Sequence, residues 1–459
     1  MSTSRTEKRF ASSALTVLAA RFIACVSAFG FTALLAQQLA PGEFGAFVLL
    51  FSLASLATLV GSLGLNRAVV KRIAEAEGNV AAQRLTLWRG IRIGSAGGLA
   101  VAVVAGVLLR LFGTRIGIAS EVVPWLFGGI VFLRTLHLVL AESSRGFHEK
   151  AWSNMFGSPA GGPVPHLLFL MSLAAFASSS QVTLVSALAI YLLSFLVTLP
   201  ILACRVFNIA ARHLAAIDTG QLQPVRAEPL SALMVLSLPL MLTQVGSLAM
   251  SQADIWLAGG LVSVEELAIY GGAQRLLAFL TIPLQIAGTA IVSYIPQLHA
   301  RADREGLQSM VSLSASAAGG PGVVLGLLFL LCPEFVLGTV FGDYYRGGAL
   351  VLVILAAGQI VCILTGPCEM LLMMVGHHRK ALIVNTTATL VLLLAAPAST
   401  RFWGVTGLAL CMATVTATQN LVNCYLAYRC VGVNTAFSIK PLATLFETLR
   451  SRSGVRASS

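Results

Sequence analysis

Twelve apolar stretches follow one another along the chain, each of the roughly 20 residues a helix needs to cross a bilayer. They fall at 11–36, 44–65, 87–112, 122–141, 155–177, 182–204, 230–258, 267–294, 310–331, 349–375, 381–397 and 404–430. Lipid offers no partner to backbone N–H and C=O groups, so such segments fold as helices. The chain therefore reads as an all-α polytopic membrane protein. Its 10% of charged residues set against about 25% in an average soluble domain could not cover a soluble surface. The segment at 155–177 opens on FGSPAGGPVP, whose glycines and prolines predict an irregular or late-starting helix.

The basic residues test this count. With a cytosolic N-terminus, 23 of the 30 Lys and Arg fall on the cytosolic side and only Arg110, Arg115, Arg346 and Arg401 on the other. Arg21, Arg134 and Arg275 lie inside spans. This asymmetry is what the positive-inside rule demands, and one missed or invented helix would destroy it. Both termini are accordingly expected in the cytosol. The net charge of +12 then faces anionic head groups, and no nucleic-acid partner is expected. The polar lead MSTSRTEKRF introduces a first helix expected to be retained rather than cleaved as a signal peptide. The eight cysteines are scattered without C-x-x-C spacing and read as small buried hydrophobes, not as disulfides or metal ligands.

Two short echoes suggest an internal repeat. RGFHEKA at 145–151 returns as VGHHRKA at 375–381, and LAQQL at 35–39 resembles LAGGL at 257–261. Each pair sits six helices apart. Between the copies lies RHLAAIDTGQLQPVRAEP, the longest internal polar stretch. The expected organisation is an N-terminal six-helix bundle at 1–211, a cytosolic linker at 212–229, a C-terminal six-helix bundle at 230–431 and a basic cytosolic tail at 432–459. Parallel repeats of this kind are a transporter architecture, with a central cavity and a substrate site between the halves near mid-membrane. His148 and His378, in the repeated loops beside Lys and Arg, read as ordinary interfacial residues rather than metal ligands.

Four stretches carry a family resemblance. LLAQQLAPGEFGAFVLLFSLASLATLVGSLGLNRAVVKRIA (34–74) resembles the first hairpin of polysaccharide and O-antigen-unit flippases, members of the multidrug/oligosaccharidyl-lipid/polysaccharide exporter superfamily. LPLMLTQVGSLAMSQADIWLAGGLVSVEELAIYGGAQRLLAFLTIPLQ (238–285) looks like their helices 7 and 8. ILTGPCEMLLMMVGHHRKALIVN (363–385) is similar to their helix 10–11 turn, and WGVTGLAL (403–410) to the start of their helix 12. The resemblance implies a bacterial cytoplasmic-membrane protein that flips an undecaprenyl-pyrophosphate-linked oligosaccharide. The pathways implied are those of O-antigen, lipopolysaccharide, capsule or exopolysaccharide, with other polysaccharide-assembly membrane proteins as possible partners. It implies no cofactor beyond H⁺ or Na⁺ coupling.

Such a substrate needs cations where its pyrophosphate passes, and Arg forks onto phosphate oxygens. A charge at a helix centre costs roughly 2.5–3.5 kcal/mol on insertion scales, so Arg21, Arg275 and Arg134 are the candidate substrate-binding residues, with structural ion pairs as the other reading. Arg21 lies ~15 Å into its helix, and Arg134 and Arg275 ~12 Å from an end, at 1.5 Å rise per residue. The acids Asp254 and Glu369 are read either as H⁺ or Na⁺ coupling sites or as ion-pair partners, Asp254 with Arg275; Glu369, close to the cytosolic end, is also placed either to touch the head group or simply to meet water. The amides Gln244, Gln252, Gln274 and Gln359, with Gln419 and Asn420, either line a cavity or bond helix to helix.

Two other function classes are weighed. No nucleophile–base constellation, phosphate-binding loop or catalytic carboxylate pair occurs, and no outer loop exceeds about 20 residues, so the chain is not read as an enzyme. A proton- or cation-coupled multidrug exporter of the same superfamily is the alternative; it would favour acidic cavities, whereas Arg exceeds acid in these spans.

Overall fold

The computed structural model describes residues 23–76, 79–118, 120–215, 230–292 and 294–437. Among the described residues every regular element is helical. The helices are α1 Ile23–Gln38, α2 Pro41–Gly61, α3 Leu65–Glu75, α4 Val80–Phe112, α5 Val123–Gly146, α6 Lys150–Phe156, α7 Pro163–Ala177 and α8 Leu184–Ala215. They continue as α9 Leu230–Leu261, α10 Val264–Ile291, α11 Tyr294–Ala300, α12 Arg304–Leu331, α13 Pro333–Phe341, α14 Ala349–Thr365, α15 Cys368–Met374 and α16 His378–Val431.

Among the described residues, nine helices are long and apolar enough to cross a membrane. The last, α16, is two helices joined at a kink where Trp403 and Gly404 leave helical geometry. With the shorter apolar α1 and α7, each of the twelve expected segments has a helix among the described residues.

Several boundaries depart from the expected ranges, among them the start of α4 at Val80 and the end of α8 at Ala215. The fifth span is α6 and α7 separated by Gly157–Gly162, as its glycines and prolines suggested. The tenth, expected unbroken over 349–375, is interrupted at Gly366 and Pro367. Gly366 takes φ 70°, which a side chain rarely adopts, and Pro367 has no N–H to continue the α14 ladder. The fourth, expected to end near 141, runs to Gly146.

The repeated heptapeptides form the same turn. His148 (φ 64°) and Gly376 (φ 89°) are left-handed residues just beyond a helix. After α5, His148 N–H donates to Arg145 O and Glu149 N–H to Ser144 O; after α15, Gly376 N–H donates to Met373 O and His377 N–H to Leu372 O. These are paired Schellman bonds. The structural match sets His148 opposite Gly376, two places from the match by identity.

By packing, the chain divides into two units. One runs to Gly259 and includes Ser263–Ala268; the other holds Gly260–Val262 and everything from Ile269. The α9 helix, which opens the expected C-terminal bundle, therefore packs with the first unit. Of the expected linker, 216–229 lie outside the described residues.

In the first unit α5 is central and touches α2, α3, α4, α6 and α8. Small residues allow this approach: a Cβ on Gly98 would stand 3.0 Å from Thr135 of α5, and one on Gly128 3.0 Å from the Ala102 carbonyl of α4. Helices in lipid gain their contact energy from such close packing, since hydrocarbon solvates leucine as well as a neighbour does. In the second unit α14 and α15 pack on α16, and α12 on α14.

Candidate functional site

One cluster of the first unit's buried polar groups surrounds the α6–α7 break. Irregular backbone at membrane depth survives only where protein or a wet cavity satisfies it. Here four side chains do so. Arg134, at the midpoint of α5 and 1% exposed, donates to the Pro159 carbonyl and to Ser55 Oγ of α2 at 2.8 Å. Its guanidinium also lies 5.4 Å from the Phe51 ring centre. His166 Nε2 is 3.0 Å from the Ala160 carbonyl, which also receives the Tyr191 hydroxyl at 3.3 Å. His137 sets Nδ1 3.3 Å from the Phe156 carbonyl and Nε2 3.0 Å from Thr198 Oγ1. Rings of Phe31, Phe51, Phe169 and Tyr191 close over this cluster.

Below the break, Glu142 is 5% exposed and meets Arg145 Nε at 3.4 Å. Arg145 also donates to Ser153 at 3.0 Å and to Asn154 at 3.1 Å. The first repeated loop thus ties the end of α5 to α6.

Along α9 two amides bond to the first hairpin. Gln244 exchanges hydrogen bonds with Asn66 of α3. Ser52 of α2 donates to Gln252 at 2.8 Å and receives the Trp256 indole N–H at 2.9 Å. Asp254, on the same helix, is fully buried.

The second unit holds a carboxylate–amide chain. Glu369, in the first turn of α15, accepts from Asn385 Nδ2 at 2.6 Å. Asn385 Oδ1 in turn accepts from Gln419 at 2.8 Å and from Asn423 at 3.3 Å. Asn423 is fully buried and its own Oδ1 has no hydrogen-bond donor. This set of oxygens, one anionic, suits a proton or a hard monovalent cation better than an anion. Gln419 also edges a cavity of about 510 Å³ between the two limbs of α16, otherwise lined by residues such as Val384, Val391, Val415 and Val422. Arg275 and Gln274 are half-buried on α10, and Gln359 half-buried on α14.

A family model for MatE matches residues 239–398. No curated protein matches the chain by sequence. Solved structures do match in shape. An inward-facing multidrug resistance MATE-family transporter of the MOP superfamily is 15% identical, with a TM-score of 0.67, covering 91% of this chain and 98% of that one. The chain has the MATE fold. The lipid II flippase MurJ, in an inward closed conformation, is 12% identical with a TM-score of 0.66, covering 93% of this chain and 89% of its own. A MOP-superfamily transporter from Pyrococcus furiosus, whose binding pocket is described as reversed in polarity, is 15% identical with a TM-score of 0.56 over 92% and 95%. The chain is thus a multi-pass membrane protein with the fold of these transporters.

The structure sorts the expected site residues. Arg21 lies outside the described residues. Arg134 sits deeper than expected because α5 is longer, and it binds backbone and Ser55 inside the first unit. Gln244 and Gln252 take the helix-to-helix reading. Glu369 joins a network with Gln419, one of the expected span amides, and with Asn385 and Asn423, which were not anticipated. Nor were His137, His166 and Tyr191, although the FGSPAGGPVP break signalled that buried donors would be needed near it.

Proposed function

We propose that the chain is a transporter that moves a lipid-linked oligosaccharide from the cytosolic to the outer leaflet of a bacterial cytoplasmic membrane by alternating access, serving O-antigen, capsule or other polysaccharide export. The observation that carries this reading is Arg275, a half-buried arginine near the middle of α10. A guanidinium at that depth costs roughly 2.5–3.5 kcal/mol, and an anionic head group is the ligand best matched to its fork. The four family-like stretches support the same substrate class, and Arg21 belongs to the proposal as a second phosphate contact. Proton or sodium coupling is assigned to Glu369, with Asp254 as the other candidate.

A cation-coupled multidrug exporter is the second reading. It is favoured by the carboxylate–amide chain at Glu369 and by the MatE match, which spans both Asp254 and Glu369. Reconstituted vesicles decide between the two. Flipping of a fluorescent polyprenyl-pyrophosphate oligosaccharide is expected for the native chain, and Arg275→Ala should lower it by roughly tenfold or more, the value of one lost charge-assisted contact. Cation-driven dye efflux without any flipping would replace the first reading by the second.

A further inference from the structure

The break between α14 and α15 leaves the last four carbonyls of α14 without helical donors, and all four are satisfied. Cys362 O receives the Thr365 hydroxyl at 2.8 Å, and Ile363 O the Gly366 N–H at 3.1 Å. The other two donors come from beyond the end of α16. Thr435 Oγ1 donates to Thr365 O at 2.7 Å, and the Phe437 N–H to Leu364 O at 2.8 Å.

The segment 432–437 is built into the second unit. The α16 helix stops at Gly432 (φ 74°), and Val433 and Thr435 are then fully buried. Val433 joins the apolar core that holds Cys368, Leu371 and Leu372 of α15. Asn434 and Gln308 of α12 exchange two hydrogen bonds, each 2.7 Å. The Phe437 ring lies where a Cβ on Gly319 would stand, 2.6 Å away. A Cβ on Gly366 would collide with the Thr435 carbonyl oxygen. The break and the strap are shaped for each other.

We infer that residues 432–437 form a clasp that holds α14–α15 bent, and that Thr435 is the positioning residue that fixes Glu369 against Asn385. Glu369 lies four residues beyond Thr365, at the start of the seven-residue helix whose entrance the clasp defines. The expected basic cytosolic tail is thus, over its first six residues, part of the unit that carries the coupling carboxylate. The part concerning coupling rests on the transporter reading; the clasp itself does not.

The test separates the two. In a chain whose only cysteine is Cys368, 1% exposed, N-ethylmaleimide labelling in membranes should be slow for the native residue and for Thr435→Ser. It should rise at least about tenfold in Thr435→Val, which keeps shape and loses the donor. If Thr435→Val does not accumulate, Thr435→Ala is read the same way. Labelling that stays slow in the variant overturns the clasp, whatever the protein transports. In reconstituted vesicles the same variant should shift the pH or sodium dependence of transport, with Thr435→Ser restoring it. An unshifted profile beside fast labelling overturns the positioning of Glu369.

Discussion

Asn66 and Gln244, 178 positions apart in the chain, exchange hydrogen bonds in both directions at 2.7 and 3.2 Å. Eight and twelve residues further along α9, Gln252 accepts from the Ser52 hydroxyl and Trp256 donates to it. A two-sided amide pair has little to offer a passing sugar, because its donors and acceptors already serve each other. It is helix-to-helix adhesive, and it explains why α9 packs with the first unit. In Asn66→Ala, Gln244→Ala and the double variant, a coupling near 0.6 kcal/mol and no greater than about 1.7 is expected, read from unfolding in detergent or bicelles. Strictly additive losses would show that the pair does not act as a unit.

Arg134 and Arg275 should part company under the same substitution. Arg134→Ala removes the donor to the Pro159 carbonyl and to Ser55, leaving buried acceptors at about 1–3 kcal/mol each and a void beside Phe51. A lower melting temperature and poor accumulation are expected. Arg275→Ala should lose transport in protein that still accumulates in the membrane. Melting curves of the two purified variants distinguish these outcomes; a stable, transport-dead Arg134→Ala would return Arg134 to the substrate path.

Much of this was legible in the residues, and the gaps have physical causes. Hydropathy is a local property, so twelve segments could be counted, and the Gly/Pro cluster at 157–163 announced its own break. Gly366 and Pro367 interrupt α14 without interrupting the apolar run on either side, so hydropathy passed over them. Thr435, which donates to the Thr365 carbonyl beside them, lies 70 positions from it. His137 and Thr198 are 61 apart, and no spacing rule reaches that far. The amides illustrate the remaining ambiguity: Gln244 and Gln252 had two chemically sound uses, and only the location of Asn66 and Ser52 selected one.

Glu369 offers a charge test that leaves its geometry intact. Glu369→Gln retains an oxygen to accept from Asn385 Nδ2, which lies 2.6 Å away in the native chain, and removes the carboxyl group. Folding should be unchanged, while dependence of transport on the proton or sodium gradient should disappear. Asn385→Leu, by contrast, strips partners from Glu369, Gln419 and Asn423 together. A loss of about 1–3 kcal/mol for each polar group left buried is expected. Gradient dependence that persists in Glu369→Gln would move the coupling role to Asp254.

The α6–α7 break can be probed by adding a single methyl group. Gly161 takes φ 104°, a region in which an L residue costs on the order of 1–3 kcal/mol. A Cβ there would also stand 2.6 Å from His166 Nε2 and 3.0 Å from the Phe195 ring. The imidazole cannot retreat without releasing the Ala160 carbonyl, which it meets at 3.0 Å. Gly161→Ala should therefore lower the melting temperature by several degrees. Gly246, inside α9, is the matched control: nothing lies within 4 Å of its added Cβ, so Gly246→Ala should stabilise by about 0.5–1 kcal/mol through helix propensity alone. If both substitutions prove neutral in the same melting assay, the break is not held in the left-handed conformation, and the roles given to His166 and Tyr191 fall with it.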